Sequence, residues 1–235
     1  MRALVIANGS MSDYGFYKGL DYPFVICADG GLRHARALGI EPDILIGDLD
    51  SADKAEVSKL PPEKVLFDPD PSKTDVELAL EYIDRRFGKD CLEILLLGAI
   101  GDRLDHTISN IHTISLYRQH VHMLDENNDI SIIHDAVEFA GPIGATVSLL
   151  PLTSEVTGVR LSGLKYDLPE GRFYTGFFGV SNVIVSNPVK ISIESGKLVL
   201  FKTGWERVYG PPIERKEKVT LPIPQAKTDA RVYSA

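Results

Sequence analysis

The chain has no apolar run near the ~20 residues that cross a bilayer; its longest uninterrupted apolar stretches are only a few residues. A membrane-spanning protein is therefore excluded as a reading. Cysteine is scarce. Cys27 and Cys91 both sit on apolar runs, which suits a reducing cytoplasm better than a disulfide framework. There is no basic excess: 33 acids face 25 bases, for a net charge of −8, and a nucleic-acid footprint is not expected. The phosphate loop GxxxxGK[ST] and the dinucleotide fingerprint GxGxxG are both missing, so neither of those nucleotide-binding designs applies. The opening MRALVIANGS has one basic residue and too short an apolar region for a secretory signal, and it reads as a strand. No internal repeat is present.

What the sequence does have is ordinary core material, 44% apolar and 25% charged in 235 residues, enough for one large domain or two small ones. The first half alternates short apolar runs with helical patterns. Strands are expected at 2–7, 24–28, 43–46, 64–67, 91–97 and 121–124, and helices near 31–38, 52–59, 74–87 and 104–118. Runs such as ILI and EILLL are continuous rather than alternating. Strands covered on both faces read that way, which points to a doubly wound, Rossmann-like α/β layer. Thr74 followed by Glu77 forms a capping box, Val76, Leu80, Ile83 and Phe87 recur at helical spacing, and Gly88 stops the helix. Beyond about 125 the helical pattern gives way to short strands punctuated by Gly and Pro, the signature of a β-sandwich. Ser195-Gly196 reads as a hairpin turn within it. The expected units are 1–125 (α/β), 126–203 (β-sandwich) and 204–235, a proline-containing extension that is net basic.

The acids are concentrated. Residues 41–105 hold 17 acids against 8 bases. In GDLDS, Asp48 and Asp50 follow the ILI strand at the end where open α/β sheets bind ligands. Two carboxylates ~4 Å apart repel by about 4 kcal/mol at an effective dielectric of 20. A hard cation such as Mg²⁺ removes that repulsion and commonly bridges carboxylates to phosphate oxygens. In SKTD, Asp75 opens a helix and Lys73 can meet a phosphate as a point charge. In GAIGDRLDHTISN, Gly98 and Gly101 allow close approach of a phosphate to a helix N-terminus, Arg103 offers a forked donor, and Asp105 and His106 lie in the first helical turn. ADGG adds Asp29 and Gly30 after another strand. Each segment alone also fits a capped turn. Together they deliver Asp29, Asp48, Asp50, Asp75, Arg103 and Asp105 to one sheet edge, which implies a Mg²⁺–nucleotide or other phosphate site and leaves the acceptor open.

ADGG, GDLDS, SKTD and GAIGDRLDH, in this order and spacing, resemble the thiamine pyrophosphokinase family. GLKYDL at 163–168 and Gly179-Val180-Ser181-Asn182 extend the resemblance through the β-rich half, over roughly residues 1–201. The resemblance implies transfer of a diphosphoryl group from ATP to the thiamine hydroxyl with release of AMP. It also implies a homodimer in which the α/β unit of one subunit and the β unit of the other share each active site. Carried over by position, Asp48, Asp50 and Asp75 are the Mg²⁺ carboxylates. Asp29, Gly30, Lys73, Thr74, Arg103, Asp105 and His106 bind ATP, with Arg103 and Asp105 joining the three carboxylates in the catalytic group. Tyr166, Ser181 and Asn182 face thiamine. The chain departs from the family pattern at Ser72, where an acid is usual and Asp70 partly replaces it. It also departs at Asp102, where Gly is usual, and at Val183, where an acid is usual. The alternatives are a related Mg²⁺-dependent pyrophosphokinase with another acceptor and a non-catalytic thiamine or nucleotide sensor.

Overall fold

The computed structural model describes residues 1–177 and 179–204. The expected extension at 204–235 therefore lies outside the described residues, apart from Gly204.

The first half forms β1 (Arg2–Ile6), β2 (Val25–Ala28), α1 (Leu32–Leu38), β3 (Ile44–Gly47), α2 (Lys54–Val57), β4 (Val65–Phe67), α3 (Asp75–Phe87), β5 (Glu93–Leu97), α4 (Leu104–Ile114) and β6 (His120–Leu124). The six strands are parallel, in the order β6-β5-β1-β2-β3-β4. Successive residues of each strand point to opposite faces, and both faces are apolar. Val5, Ile26, Ile46 and Leu96 pack under α3 and α4, whereas Leu4, Cys27, Leu45 and Leu95 pack under α1 and the loop after β1. That two-sided burial is why these strands read as continuous apolar runs.

Two helices are shorter than their patterns suggest. Asp53 caps α2 through the Ala55 amide at 2.8 Å, and Leu60-Pro61-Pro62 ends it early. The chain leaves α4 after Ile114 because Ser115 Oγ donates to the His112 carbonyl at 2.7 Å and the next turn closes with Leu116 N to Thr113 O, a tighter i→i+3 bond. The box at α3 forms as expected: Glu77 N donates to Thr74 Oγ1 at 3.2 Å and Thr74 N to Glu77 Oε2 at 2.7 Å.

The second half is β7 (Asn128–Ile133), β8 (Ala136–Phe139), β9 (Thr146–Pro151), β10 (Glu155–Ser162), β11 (Leu168–Tyr174), β12 (Gly179–Val183), β13 (Val189–Ser192) and β14 (Leu198–Thr203). β7 pairs antiparallel with β6, so the first sheet runs on through the expected boundary into β14, β9 and β12, making ten strands. A second sheet, ordered β11-β10-β13-β8, covers that extension. Val147, Leu149, Leu198 and Leu200 of one sheet interlock with Val156, Leu161, Phe173 and Ile191 of the other. Ser195-Gly196 is not a hairpin turn: β13 pairs with β10 and β8, whereas β14 pairs with β7 and β9, so this turn carries the chain from one sheet to the other. Period-two alternation is the same in either case, because both strands bury one face in the same core.

Candidate active site

The carboxyl ends of β2 and β3 bring three acids together. Asp29 is 3% exposed and lies directly after β2 in the left-handed region (φ 44°), with Oδ1 accepting from Ala52 N at 3.1 Å. Gly31 follows because a Cβ there would stand 1.9 Å from the Ile6 carbonyl. Asp48 and Asp50 converge through a turn rather than through strand alternation. Asp50 N donates to Asp48 Oδ1 at 3.1 Å, and Leu49 between them is left-handed (φ 59°). Such strained positions cluster at functional sites. Carboxylate oxygens of Asp29, Asp48 and Asp50 all fall within 4.8 Å of one another.

Asp75 joins them from the first turn of α3. Its Oδ1 would lie 2.5 Å from a Cβ at Gly47 (φ 138°), so only glycine fits there. Burial pushes the Asp75 acid up to about 6, aided by the negative charges of Asp29, Asp48 and Asp50 and partly offset by the Asp48 amide donating to it. The group is crowded by like charge and partly removed from water, the condition that a bound cation relieves. The donors gathered within reach of one ion are hard carboxylate oxygens of Asp29, Asp48 and Asp50 at the end of a parallel sheet, with the Asp75 charge beside them, which fits a Mg²⁺-type ion.

The other expected residues are placed as follows. Gly30 lies against the Asn8 side chain, which a Cβ would meet at 2.4 Å. The Thr74 side chain caps α3. Lys73 Nζ is bound to Glu81 at 2.8 Å, two turns along α3. Arg103 is exposed and grips Asp105 with two bonds of 2.9 and 2.6 Å, holding that carboxyl well below the usual range. His106 is exposed in the first turn of α4. Tyr166 is 64% exposed. Asn182 is buried, and its amide clamps the backbone of Tyr166: Tyr166 N donates to Oδ1 and Nδ2 donates to Tyr166 O, both at 3.0 Å. Ser181 is left-handed (φ 58°), its N–H donating to Ser148 Oγ.

Ser181 and Asn182 belong to β12, at one end of the ten-stranded sheet, whereas Asp48 follows β3 near the other end. Eight strand spacings separate them, on the order of 40 Å along the sheet. Within one chain the structure gathers the four aspartates and does not bring Tyr166, Ser181 and Asn182 to them.

One part of the edge carried no motif. Asn8-Gly9-Ser10 follow β1 and lie against the loop after β5. Gly9 N donates to Gly98 O at 2.7 Å, and a Cβ on Gly9 would come within 2.3 Å of that oxygen. The only signal was a short Asn-Gly-Ser after the opening strand. Its neighbourhood depends on the β5-β1-β2 order, which the sequence does not state.

Comparisons with known proteins agree on one family. Residues 20–124 match the family model described as thiamin pyrophosphokinase, catalytic domain, and residues 128–198 match thiamin pyrophosphokinase, vitamin B1 binding domain. A thiamine pyrophosphokinase 1 of Oryza sativa subsp. japonica is 28% identical over 203 residues, covering 72% of this chain and 75% of that relative. A thiamine pyrophosphokinase 1 of Arabidopsis thaliana is 24% identical, covering 85% and 84%. Among solved structures, thiamine pyrophosphokinase from Bacillus subtilis superposes with TM-score 0.75 at 21% identity, covering 86% of this chain and 99% of that one. The Candida albicans enzyme superposes at 0.71 and 18%, covering 86% and 88%.

Proposed function

Because this chain belongs to the thiamin pyrophosphokinase family and carries out that family's reaction, we propose that its acidic edge binds Mg²⁺-ATP and that thiamine comes from the β-rich half of a second copy. The observation that carries the reading is the convergence of Asp29, Asp48 and Asp50 at the end of the parallel strands, with Asp75 beside them pushed up to about 6 by burial and by those three charges. Asp48, Asp50 and Asp75 would hold the ion, with Asp29 fixed behind them by Ala52 N. When bound, Mg²⁺ supplies charge neutralisation on the phosphates and on the leaving AMP.

In the reaction the thiamine hydroxyl oxygen bonds to the β-phosphorus of ATP. The bond from that phosphorus to the oxygen bridging the α-phosphate breaks, AMP departs, and a carboxylate of the cluster takes the hydroxyl proton. Such chemistry is mostly positioning and charge neutralisation. Arg103 is exposed beside this edge and exchanges Asp105 for the triphosphate. Gly30 lets the chain approach the nucleotide closely, and His106 contributes from α4. Lys73 and Thr74 act indirectly, because Glu81 and the capping box hold them. On the acceptor side, Asn182 fixes Tyr166, whose ring stacks on the aminopyrimidine while the Ser181 hydroxyl hydrogen-bonds it. Val183 contributes no charge there.

The ~40 Å along the sheet between β3 and β12 supports a homodimer with shared sites. Exposed apolar groups support it too: Tyr166, Tyr174 and Val180 in one half, Leu104 and Ile108 of α4 in the other. We read 1–125 as the Rossmann-like ATP unit and 126–203 as the thiamine unit. Buried free Cys27 and Cys91 suit the cytoplasm, and among the described residues no helix is long and apolar enough to cross a membrane.

Incubation with thiamine and Mg²⁺-ATP should yield AMP and thiamine diphosphate one for one. AMP released only with another acceptor would move the chain to a related pyrophosphokinase, and no AMP would leave a sensor. For the shared site, Asp48→Asn and Ser181→Ala proteins are mixed, allowed to exchange subunits, and assayed at low thiamine. The mixture should exceed the mean of the two variants assayed separately, since each heterodimer regains one intact site. No gain despite exchange would put both halves in one chain.

A further inference from the structure

We infer that Ser10 and Asp102, which meet across the crevice between β1 and β5, form the ribose subsite of the nucleotide and make the enzyme select ribonucleotides over 2′-deoxyribonucleotides. The inference rests on the Mg²⁺-ATP reading above and adds a specificity device to it.

The sheet changes direction at β1. The chain winds from β1 to β2, β3 and β4 on one side and places β5 and β6 on the other. Ligands of open α/β sheets sit at such switch points, outside the carboxyl ends of the strands. The floor here is backbone against backbone. A Cβ on Gly98 would stand 2.3 Å from the Ala7 carbonyl, and one on Gly101 would stand 3.0 Å from Ser10 N. Across that floor Ser10 Oγ donates to Asp102 Oδ2 at 3.2 Å, and both residues are exposed.

The Ser10 lip is held from behind. Arg33 Nη2 donates to Asn8 O at 2.9 Å, and His34 Nε2 lies 2.8 Å from Gly9 O. Tyr14 Oη lies 2.6 Å from His34 Nδ1. Burial lowers the His34 pKa. A neutral ring that donates from Nε2 and accepts the Tyr14 hydroxyl at Nδ1 satisfies both contacts. Ser12 N and Asp13 N each donate to Glu126 Oε1 at 2.8 Å. In the trans Gly9–Ser10 peptide the N–H opposes the C=O. With Gly9 O turned towards α1, Ser10 N–H points away from it.

The chemistry of the pair selects its ligand. A carboxylate accepts hydrogen bonds and repels phosphate, so Asp102 suits hydroxyl donors. A hydroxyl and a carboxylate side by side match a vicinal diol, a pairing of acid and ribose known from other nucleotide sites. The position matches as well. The diphosphoryl group must lie at the aspartates after β2 and β3. From the middle of that pair to the middle of the β1–β5 crevice is two strand spacings, roughly 10 Å. That is comparable with the span from the β-phosphate to the ribose of extended ATP. Asn8, lying on Gly30 between the two regions, then faces the α-phosphate.

The test uses the full chain and measures kcat/KM for ATP and 2′-dATP at saturating thiamine, in wild type, Asp102→Asn, Asp102→Ala and Ser10→Ala. A hydrogen bond to a charged group supports a wild-type preference for ATP of roughly 10- to 100-fold. Asp102→Ala should bring that ratio to within about threefold of one, mainly through the KM for ATP, with smaller losses in Asp102→Asn and Ser10→Ala. A wild type without preference would overturn the inference. So would an Asp102→Ala protein that loses both nucleotides equally, as a metal or folding role requires. Calorimetry of AMP and 2′-dAMP with Mg²⁺ separates this from the reaction itself. Preference for AMP without thiamine diphosphate formation would keep the subsite and sink the reaction. Turnover with equal affinities would do the reverse, and neither binding nor turnover would sink both.

Discussion

Asp75, at the end of the parallel strands, is half-buried, and Asp129, at the start of the antiparallel extension, is more deeply buried, yet the two are shifted in opposite directions. Burial opposes the charge of Asp129, but His122 Nδ1 at 2.9 Å and Lys202 Nζ at 2.5 Å outweigh it and hold that acid down to about 2. Asp75 has burial and three carboxylates acting on it, and it rises to about 6. The partners of Asp129 come with the fold, from neighbouring strands of the same sheet. The strongest charges acting on Asp75 are themselves acids. One aspartate completes a structure, while the other sits in a structure completed by a ligand.

Substitution should therefore give opposite results in the two regions. The largest effect is expected at the acidic edge. Asp48→Asn or Asp50→Asn should lower kcat for AMP release at least about 100-fold, the scale of removing one preorganised charge-stabilising group, with an unchanged or higher metal-free thermal midpoint. Near-normal turnover in both would break the comparison. In the antiparallel half, Asp129→Asn strips a charged partner from Lys202 and His122 and should cost about 1–3 kcal/mol by urea titration. The folded fraction should retain its kcat, and an equally stable variant would remove the structural half of the contrast. Smaller again is Ser181→Ala, which should raise the thiamine KM about 2- to 13-fold, the value of one neutral hydrogen bond, while the ATP KM moves little. An unmoved thiamine KM would take Ser181 out of the acceptor site.

Local features of the fold were legible in the sequence. The Thr74–Glu77 box needs only residues three apart, and the buried runs needed only their own composition. The four aspartates were legible for the same reason, since each follows a strand or opens a helix. What could not be read was non-local. Ser10 meets Asp102 across 92 positions of chain. Asn182 spends its amide on Tyr166, a pairing fixed by how the loop at 163–168 lies against β12. Ser195-Gly196 alternates correctly for a hairpin, yet the choice of partner sheet is tertiary.

The contrast is tested most directly on one protein, Asp75→Asn, by measuring AMP release and the metal-free thermal midpoint from pH 4 to pH 8. An acid raised from 3.8 to about 6 on folding holds its proton in the folded state and releases it in the unfolded state across that window. Wild-type stability from this group therefore falls as pH rises from about 4 to about 6 and stays lower above it. The variant lacks that fall. The two midpoints should agree near pH 4, and the variant should lie a few °C higher above pH 6.5, with Mg²⁺ closing the gap by stabilising wild type. Activity of the variant should be nearly abolished at every pH. A variant that is both active and no more stable than wild type at pH 7 would contradict the account.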